Sequence, residues 1–328
     1  MNNLDNQILQ KLKESRDGFI SGETLCTQLG ITRSAVWKHI KNLRENGYEI
    51  ESVTNRGYKL EKSPNIPFEC EVKPFLNTES LGQTLIYYTS LDSTNSTARE
   101  YAEGGAPHGT VIVADRQNQG RGRLRRNWYS PANVNLYFSV ILRPLIPPVN
   151  GPSFSLLAAL TLAKVLQKYF QDKSPRIKWP NDVLINGKKT AGILADINAQ
   201  QDCIDSLILG MGVNVNIPLK DFPEDVRSTA TSLKAELGYD VNRPKLLADI
   251  INQMETVYTL WLDKGLNPFI EEWQQSSFLM GKHITVSNVR EKTSGTVQGL
   301  TETGELLILR DDGKTEAVTA GDTSIEKT

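Results

Sequence analysis

Thr110-Val111-Ile112-Val113-Ala114-Asp115-Arg116-Gln117-Asn118-Gln119-Gly120-Arg121-Gly122-Arg123-Leu124-Arg125-Arg126-Asn127-Trp128 runs from an apolar segment into a basic, glycine-punctuated loop. The first five residues read as a strand. Residues 116 to 126 carry five arginines and no acid. Glycine lets the backbone approach a ligand closely, successive N–H groups form anion-binding nests, and arginine forks grip phosphate or carboxylate. Taken alone, the stretch is either such a nest or part of an Arg-Gly tail. Tails of that kind are repetitive and flanked by disorder, whereas strand-like runs lie on both sides here. No Gly-x-x-x-x-Gly-Lys-Ser/Thr motif is present, so any triphosphate is not held in a P-loop.

Working outward, residues 83–275 contain further strand-like runs at Leu85 to Tyr88, Leu136 to Leu142, Val183 to Ile185 and Ser206 to Leu209. Helical runs cover 153–170 and 243–264. Asn186-Gly187 is a hairpin signal, because both turn positions accept positive φ. Strands and helices mix without strict alternation, which favours α+β over a doubly wound sheet. In Arg176-Ile177-Lys178-Trp179-Pro180-Asn181-Asp182 the proline ends a strand just beyond Lys178, aiming that cation at a strand end. Alone it is either a substrate-facing lysine or a solvated one on an edge strand.

Residues 1–62 precede this block. Leu4, Ile8 and Leu12 share one helical face. Ser21 precedes a short helix with Leu25 and Leu29 on one side, Gly30 ends it, and Thr32 caps the next. Val36, Ile40 and Leu43 form that helix's apolar stripe. This is a helix–turn–helix pattern, and Tyr48 to Val53 and Tyr58 to Leu60, around Asn55-Arg56-Gly57, supply a wing. The face opposite the stripe carries Arg33, Ser34, Trp37, Lys38 and Lys41, with Arg56 at the wing tip. Such a helix suits the DNA major groove; the bland alternative is a solvated basic face on a protein-interaction domain. Residues 63–82 contain Pro64, Pro67 and Pro74 and read as a non-helical linker. Residues 276–328 hold short strand-like runs between Gly295, Gly299, Gly304, Gly313 and Gly321, the pattern of a small β-barrel.

Lys and Arg total 37 against 38 Asp and Glu, giving a net charge of −1, so nucleic-acid binding must come from a local face. The three cysteines and three histidines are scattered, which argues against a disulfide framework and a metal cluster. The N-terminus lacks a signal-peptide pattern and no stretch is apolar enough to span a bilayer. The expectation is a soluble cytoplasmic protein.

Ser93-Thr94-Asn95, Gln117, Gly120-Arg121-Gly122-Arg123, Lys178-Trp179-Pro180-Asn181-Asp182, Gly192-Ile193-Leu194 and Gly210-Met211-Gly212-Val213-Asn214 occur in an order and spacing that resembles the biotin–protein ligase family. The resemblance covers almost the whole chain. The winged domain and the small C-terminal β-domain resemble the subgroup that is both ligase and repressor of biotin genes. It implies a winged helix–turn–helix domain, a central mixed-sheet domain like class II synthetases, and an SH3-like barrel. It also implies ATP with Mg²⁺, biotin as substrate, a biotin carboxyl carrier protein as acceptor, operator DNA and a ligand-promoted homodimer. Lys178, Arg121 and Arg123 are the implied catalytic cations. Ser93, Thr94, Asn95, Gln117, Arg121, Gly122, Arg123, Lys178 and Gly192 would bind biotin, with Ile193 walling its ring and chain. Arg123, Arg126, Trp128, Lys178, Asn214 and Ala230 would bind the adenylate, with Mg²⁺ held mainly by phosphates and no protein metal site. The loops 117–130 and 217–232 would order on ligand. Ser93 or Thr94 has a second reading as a helix cap. Many family members carry a small residue, often Gly, where this chain has Arg125. A non-catalytic, small-molecule-sensing transcription factor and a lipoate–protein ligase are the alternatives.

Overall fold

Helix spacing in the N-terminal region is realised as burial. Ile8 and Leu12 on α1 (Asn3–Glu14), Leu25 on α2 (Gly22–Leu29), and Val36, Ile40 and Leu43 on α3 (Arg33–Glu45) are all buried. Thr32 accepts from Ala35 N, so the expected cap forms, and Ser21 caps α2 in the same way by accepting from Thr24 N. Gly30 adopts φ 66°, the left-handed conformation that ends α2. Buried His39 on α3 meets buried Asp5 on α1 at 2.7 Å. The wing is the antiparallel pair β1 (Glu49–Val53) and β2 (Gly57–Lys62). Arg44 fastens it to α3 by donating to Ile50 O and Ser52 Oγ.

The computed structural model describes residues 3–15, 18–148, 151, 153–200, 203–288 and 292–325; the last three residues of the C-terminal segment fall outside this set. The chain divides into two compact units, Met1–Ile66 and Pro67–Thr328. Among the described residues no helix is long and apolar enough to cross a membrane.

The second unit begins with α4 (Glu69–Val72) and a 3₁₀ turn at Lys73–Phe75. The expectation of no helix between 63 and 82 is therefore corrected. Pro67 lies outside α4, and Pro74 occupies the first turn of the next helical segment, where its missing N–H costs nothing. The chain continues through β3 (Leu85–Tyr88), α5 (Thr94–Glu103), β4 (Val111–Ala114), β5 (Leu136–Leu142), α6 (Ser153–Gln167), β6 (Arg176–Lys178), β7 (Asp182–Ile185), β8 (Lys188–Gln200) and β9 (Cys203–Val213). These strands form one mixed sheet in the order β3-β4-β5-β9-β8-β7-β6, parallel only between β3 and β4. Asn186 (φ 52°) and Gly187 (φ 73°) make the β7–β8 turn. There follow α7 (Glu224–Arg227), α8 (Leu233–Leu237), α9 (Arg243–Lys264) and α10 (Asn267–Ser276).

Strand alternation decides which side each helix covers. Ile112, Ile141 and Ile208 face α5, where Ala98 and Ala102 meet them. The intervening residues, among them Val111, Val113, Phe138, Val140, Leu207 and Leu209, join the main core with α6 and α9. That core continues into Ile284, Val286, Val297 and Ile308. These belong to a five-stranded antiparallel sheet made of β10 (His283–Ser287), β11 (Lys292–Leu300), β12 (Leu306–Leu309), β13 (Thr315–Val318) and β14 (Asp322–Ile325), in the order β13-β12-β11-β10-β14. The overall class is α+β, as the mixed pattern of elements requires.

Candidate functional site

A cavity of about 810 Å³ opens on the α5 side of the large sheet. Its floor is set by the register of β8 and β9, in which Gly192 pairs with Gly212 and Leu194 with Gly210. A Cβ on Gly210 would lie 1.9 Å from Asn95 Oδ1, and one on Gly212 would lie 2.4 Å from Trp128 Nε1. Any side chain at either position would collide with the walls. Ile193 is buried in the core on the opposite face. It still borders the cavity, between Gly192 and Leu194, whose positions alternation turns to the ligand side.

The N-terminus of α5 forms one wall. Ser93 occupies the N-cap position, but its hydroxyl makes no capping hydrogen bond. Thr94 donates to Gln117 Oε1 from both N (2.9 Å) and Oγ1 (3.2 Å). Gln117 Nε2 in turn donates to Ser130 Oγ. Asn95 Nδ2 donates to Leu194 O and to Asp196 Oδ2. Ser139 Oγ lies 2.8 Å from Thr94 Oγ1 and 2.7 Å from Asn95 Oδ1. The polar groups on this wall are thus held rigidly, which a site selecting a neutral polar ligand requires.

The arginine–glycine loop folds over the cavity as a tight hairpin. Trp128 N donates to Gly120 O, and Gly122 N donates to Arg126 O. Leu124 (φ 52°) and Arg125 (φ 57°) both sit in the left-handed region at its tip. A small residue suits that backbone better than arginine does. Arg121 and Arg126 are exposed and Arg123 is half-buried. Arg123 donates to Gly321 O (3.3 Å), and Arg126 pairs with Asp322. Burial depresses the Arg123 guanidinium, while Asp322 and Asp182 oppose that effect. Trp128 lies on the glycine floor with Lys189 Nζ 5.3 Å from its ring centroid. Its Nε1 is buried and has no hydrogen-bond partner in the structure.

Lys178 reaches the cavity from the end of β6, beside the cis Trp179–Pro180 peptide. Asn181 closes that corner by donating to Ile193 O. Asn214, at the end of β9, is buried and donates to Thr231 O. Ala230 is bridged alongside Lys189. Every residue expected at the biotin and adenylate positions therefore borders this one cavity.

Sequence reasoning missed several neighbours. Lys189 Nζ lies 2.7 Å from Asp182 Oδ1, close but out of line for a hydrogen bond. In the sequence Asp182 stands out only as the end of the Lys178–Asp182 motif. Ser287, Asp322, Thr323 and Ser324 of the C-terminal sheet also line the cavity, and Thr323 Oγ1 donates to Trp179 O. Their only trace in the sequence was Gly321, a turn signal. Among the described residues no group of three or more His, Cys, Asp or Glu could hold a metal ion.

In the first unit, Arg33, Ser34, Trp37, Lys38 and Lys41 are all exposed along α3. Arg33 lies 3.5 Å from Glu23, an exposed pair of little strength. Lys41 sits over the Trp37 ring and 3.8 Å from Glu45. Arg56 is exposed at the wing and stacks on Phe19. Arg44 is engaged by the wing through Ile50 O and Ser52 Oγ.

Comparison with known proteins yields three matching family profiles. The HTH domain matches residues 5–59, the Biotin/lipoate A/B protein ligase family 87–214, and the Biotin protein ligase C terminal domain 279–325. The chain is 38% identical over 310 residues to the bifunctional ligase/repressor BirA of Bacillus subtilis (strain 168), covering 94% of this chain and 95% of that protein. It is 29% identical over 293 residues to the protein of the same description from Escherichia coli (strain K12), covering 89% of each. Among solved structures it resembles the biotin protein ligase from Aquifex aeolicus in complex with biotin and ATP. The TM-score is 0.64 at 29% identity, covering 75% of this chain and all of that one. The chain belongs to the biotin–protein ligase family, in the subgroup that joins the ligase to an N-terminal helix–turn–helix domain.

Proposed function

We propose that this chain is an ATP-dependent biotin–protein ligase that also acts as a biotin-responsive repressor of biotin genes. The supporting observation is the gathering of Ser93, Thr94, Asn95, Gln117, Arg121, Arg123 and Lys178 around one glycine-floored cavity. In the first half-reaction a biotin carboxylate oxygen attacks the α-phosphorus of ATP. The bond from that phosphorus to the bridging oxygen breaks, and pyrophosphate leaves. In the second, the ε-amine of a lysine on a biotin carboxyl carrier protein attacks the acyl carbon. The carbon–oxygen bond breaks, AMP leaves, and the amine loses a proton.

Two anions must meet in the first step, so cations have to offset their repulsion. Lys178, Arg121 and Arg123 take that role, and positioning supplies much of the rate. Mg²⁺ enters with ATP, bound chiefly by the phosphates. Ser93, Thr94, Asn95 and Gln117 match the donors and acceptors of the ureido group. Gly192 keeps the floor flat for the bicyclic ring. Arg126, Trp128, Asn214 and Ala230 surround the adenylate. Closure of the 117–130 loop excludes the water that would hydrolyse the acyl-adenylate.

We assign residues 83–275 to catalysis, 276–328 to the small β-domain and 1–62 to operator binding through Arg33, Ser34, Trp37, Lys38, Lys41 and Arg56. One winged domain reads few bases, which favours a ligand-promoted homodimer on an inverted repeat. A reaction fed by ATP and carrier apoprotein fits the cytoplasm. Biotin-dependent exchange of labelled pyrophosphate into ATP tests the ligase reading. Exchange with biotin is expected. Exchange with lipoate alone would select a lipoate–protein ligase, and DNA binding without exchange a non-catalytic sensor.

A further inference from the structure

Glu236 lies outside the cavity, on α8, yet its carboxylate is fully engaged. Oε2 accepts from Lys173 Nζ (2.9 Å) and Asn186 Nδ2 (2.6 Å), and Oε1 accepts from Thr231 Oγ1 (2.7 Å). Lys173 Nζ also reaches Glu236 O at 3.2 Å. These donors come from three separate segments: the chain before β6, the β7–β8 turn, and the C-terminal stem of the loop 217–232. Glu236 is only 12% exposed by side chain, so its bonds are shielded from water.

What the carboxylate holds is the stem that borders the cavity. Thr231 N donates to Lys189 O (2.9 Å), and Lys189 N donates to Thr229 O (2.7 Å). Ala230 is thereby set beside Lys189, and Thr229, Ala230 and Lys189 all line the cavity. Asn186 is two residues before Lys188, where β8 begins. A single carboxylate thus ties both sides of that wall, the loop stem and the hairpin that carries Lys189.

We infer that Glu236 is a positioning residue for the nucleotide end of the site, fixing the 229–231 stem against the β7–β8 hairpin. The inference rests on the ligase reading for the identity of the ligand. Removing the carboxylate in Glu236→Ala frees all three donors. Glu236→Gln keeps an oxygen for Lys173 and Asn186 and offers its amide to the Thr231 hydroxyl, which can also accept.

The test combines pyrophosphate-exchange kinetics with amide hydrogen exchange on the full chain. Glu236→Ala should raise KM for ATP about tenfold, the scale of one lost charge-assisted hydrogen bond, with KM for biotin within about twofold. Amide exchange at 229–233 should accelerate without ligand. Glu236→Gln should stay within about threefold of wild type on ATP, and Thr231→Val should move the same constant in the same direction as Glu236→Ala. Equal shifts in both substrates' KM, or unchanged amide exchange in Glu236→Ala, would overturn the inference. If wild type shows exchange activity and Glu236→Ala keeps its ATP KM, the inference fails alone; a wild type without activity removes the ligase reading and the nucleotide assignment with it.

Discussion

Substituting Gly210 by alanine should damage both the fold and the biotin subsite. The added methyl would sit 1.9 Å from Asn95 Oδ1 and 2.7 Å from its Cγ. Non-bonded heavy atoms prefer roughly 3.5 Å, so Asn95 must retreat by more than about 1 Å. It has little room, being 7% exposed, bonded to Leu194 O and Asp196, and backed by Ser139 at 2.7 Å. Overpacking costs about 1–3 kcal/mol, and each displaced hydrogen bond adds about 0.5–1.5 kcal/mol. The expected loss is therefore about 2–4 kcal/mol, read from the urea midpoint at unchanged m-value. Titration calorimetry should show biotin affinity falling by at least about tenfold, because Asn95 lines the cavity. The double variant Asn95→Ala/Gly210→Ala removes the collision and should be no less stable than Asn95→Ala alone. Strict additivity of the two changes, or a Gly210→Ala protein within about 0.5 kcal/mol of wild type, would refute the collision.

Three further predictions concern other parts of the molecule. Arg243 (1% exposed) pairs with Asp115 (3%) at 2.8 Å and also donates to Asn135 O. Arg243→Met strands a buried carboxylate and should cost about 3–5 kcal/mol in urea unfolding, part of which Asp115→Asn should restore. Stability should fall on acidification in two stages. Burial depresses His108 below its ordinary 6.5, and Glu255 lies below its ordinary 4.5 because backbone N–H groups of Leu81, Glu79 and Ser80 outweigh the opposing effect of burial. For both groups the unfolded chain binds the proton more tightly, so stability is fully present above each ordinary value and is lost as pH falls from there through the lowered value of the folded state. Tm measured against pH should show His108→Leu flattening the first stage and Glu255→Gln the second. Lys38→Ala and Lys41→Ala should weaken DNA binding and lower the salt slope by about one each without changing Tm. Arg44→Ala should lower Tm as well, because its guanidinium holds the wing.

Much of the fold was legible because it is local. The stripe Val36, Ile40, Leu43, the cap Thr32, the run Leu136–Leu142 and the helix Arg243–Lys264 each follow from spacing within one segment. The hairpin at Asn186-Gly187 was equally direct. The long strands β8 and β9 were only partly readable. Residues 195–199 alternate apolar and polar, but Gly192, Gly210 and Gly212 weaken the pattern, and only the β8–β9 pairing fixes the strands' extent. Motif residues two apart share a face and adjacent ones do not, so Ile193 borders the cavity while its side chain packs in the core. Lys178 and the glycine–arginine loop could be named from the sequence. Their joint cavity depends on pairings between distant segments, such as Phe278 N with Ile177 O and Thr323 with Trp179 O. Contacts of that kind leave no periodic trace. Arg125 departs from the small residue many family members carry there, and its φ of 57° supplies the reason a glycine suits that position.

Isolation of the acyl-adenylate tests the ligase mechanism most directly. Protein mixed with biotin and ATP labelled at the α-phosphorus, without any acceptor protein, should accumulate labelled biotinyl-5'-AMP near one per site. Folded Lys178→Ala should accumulate at least about a hundredfold less per unit time. No labelled adenylate with wild type, or undiminished formation by Lys178→Ala, would contradict the ligase mechanism assigned to this cavity.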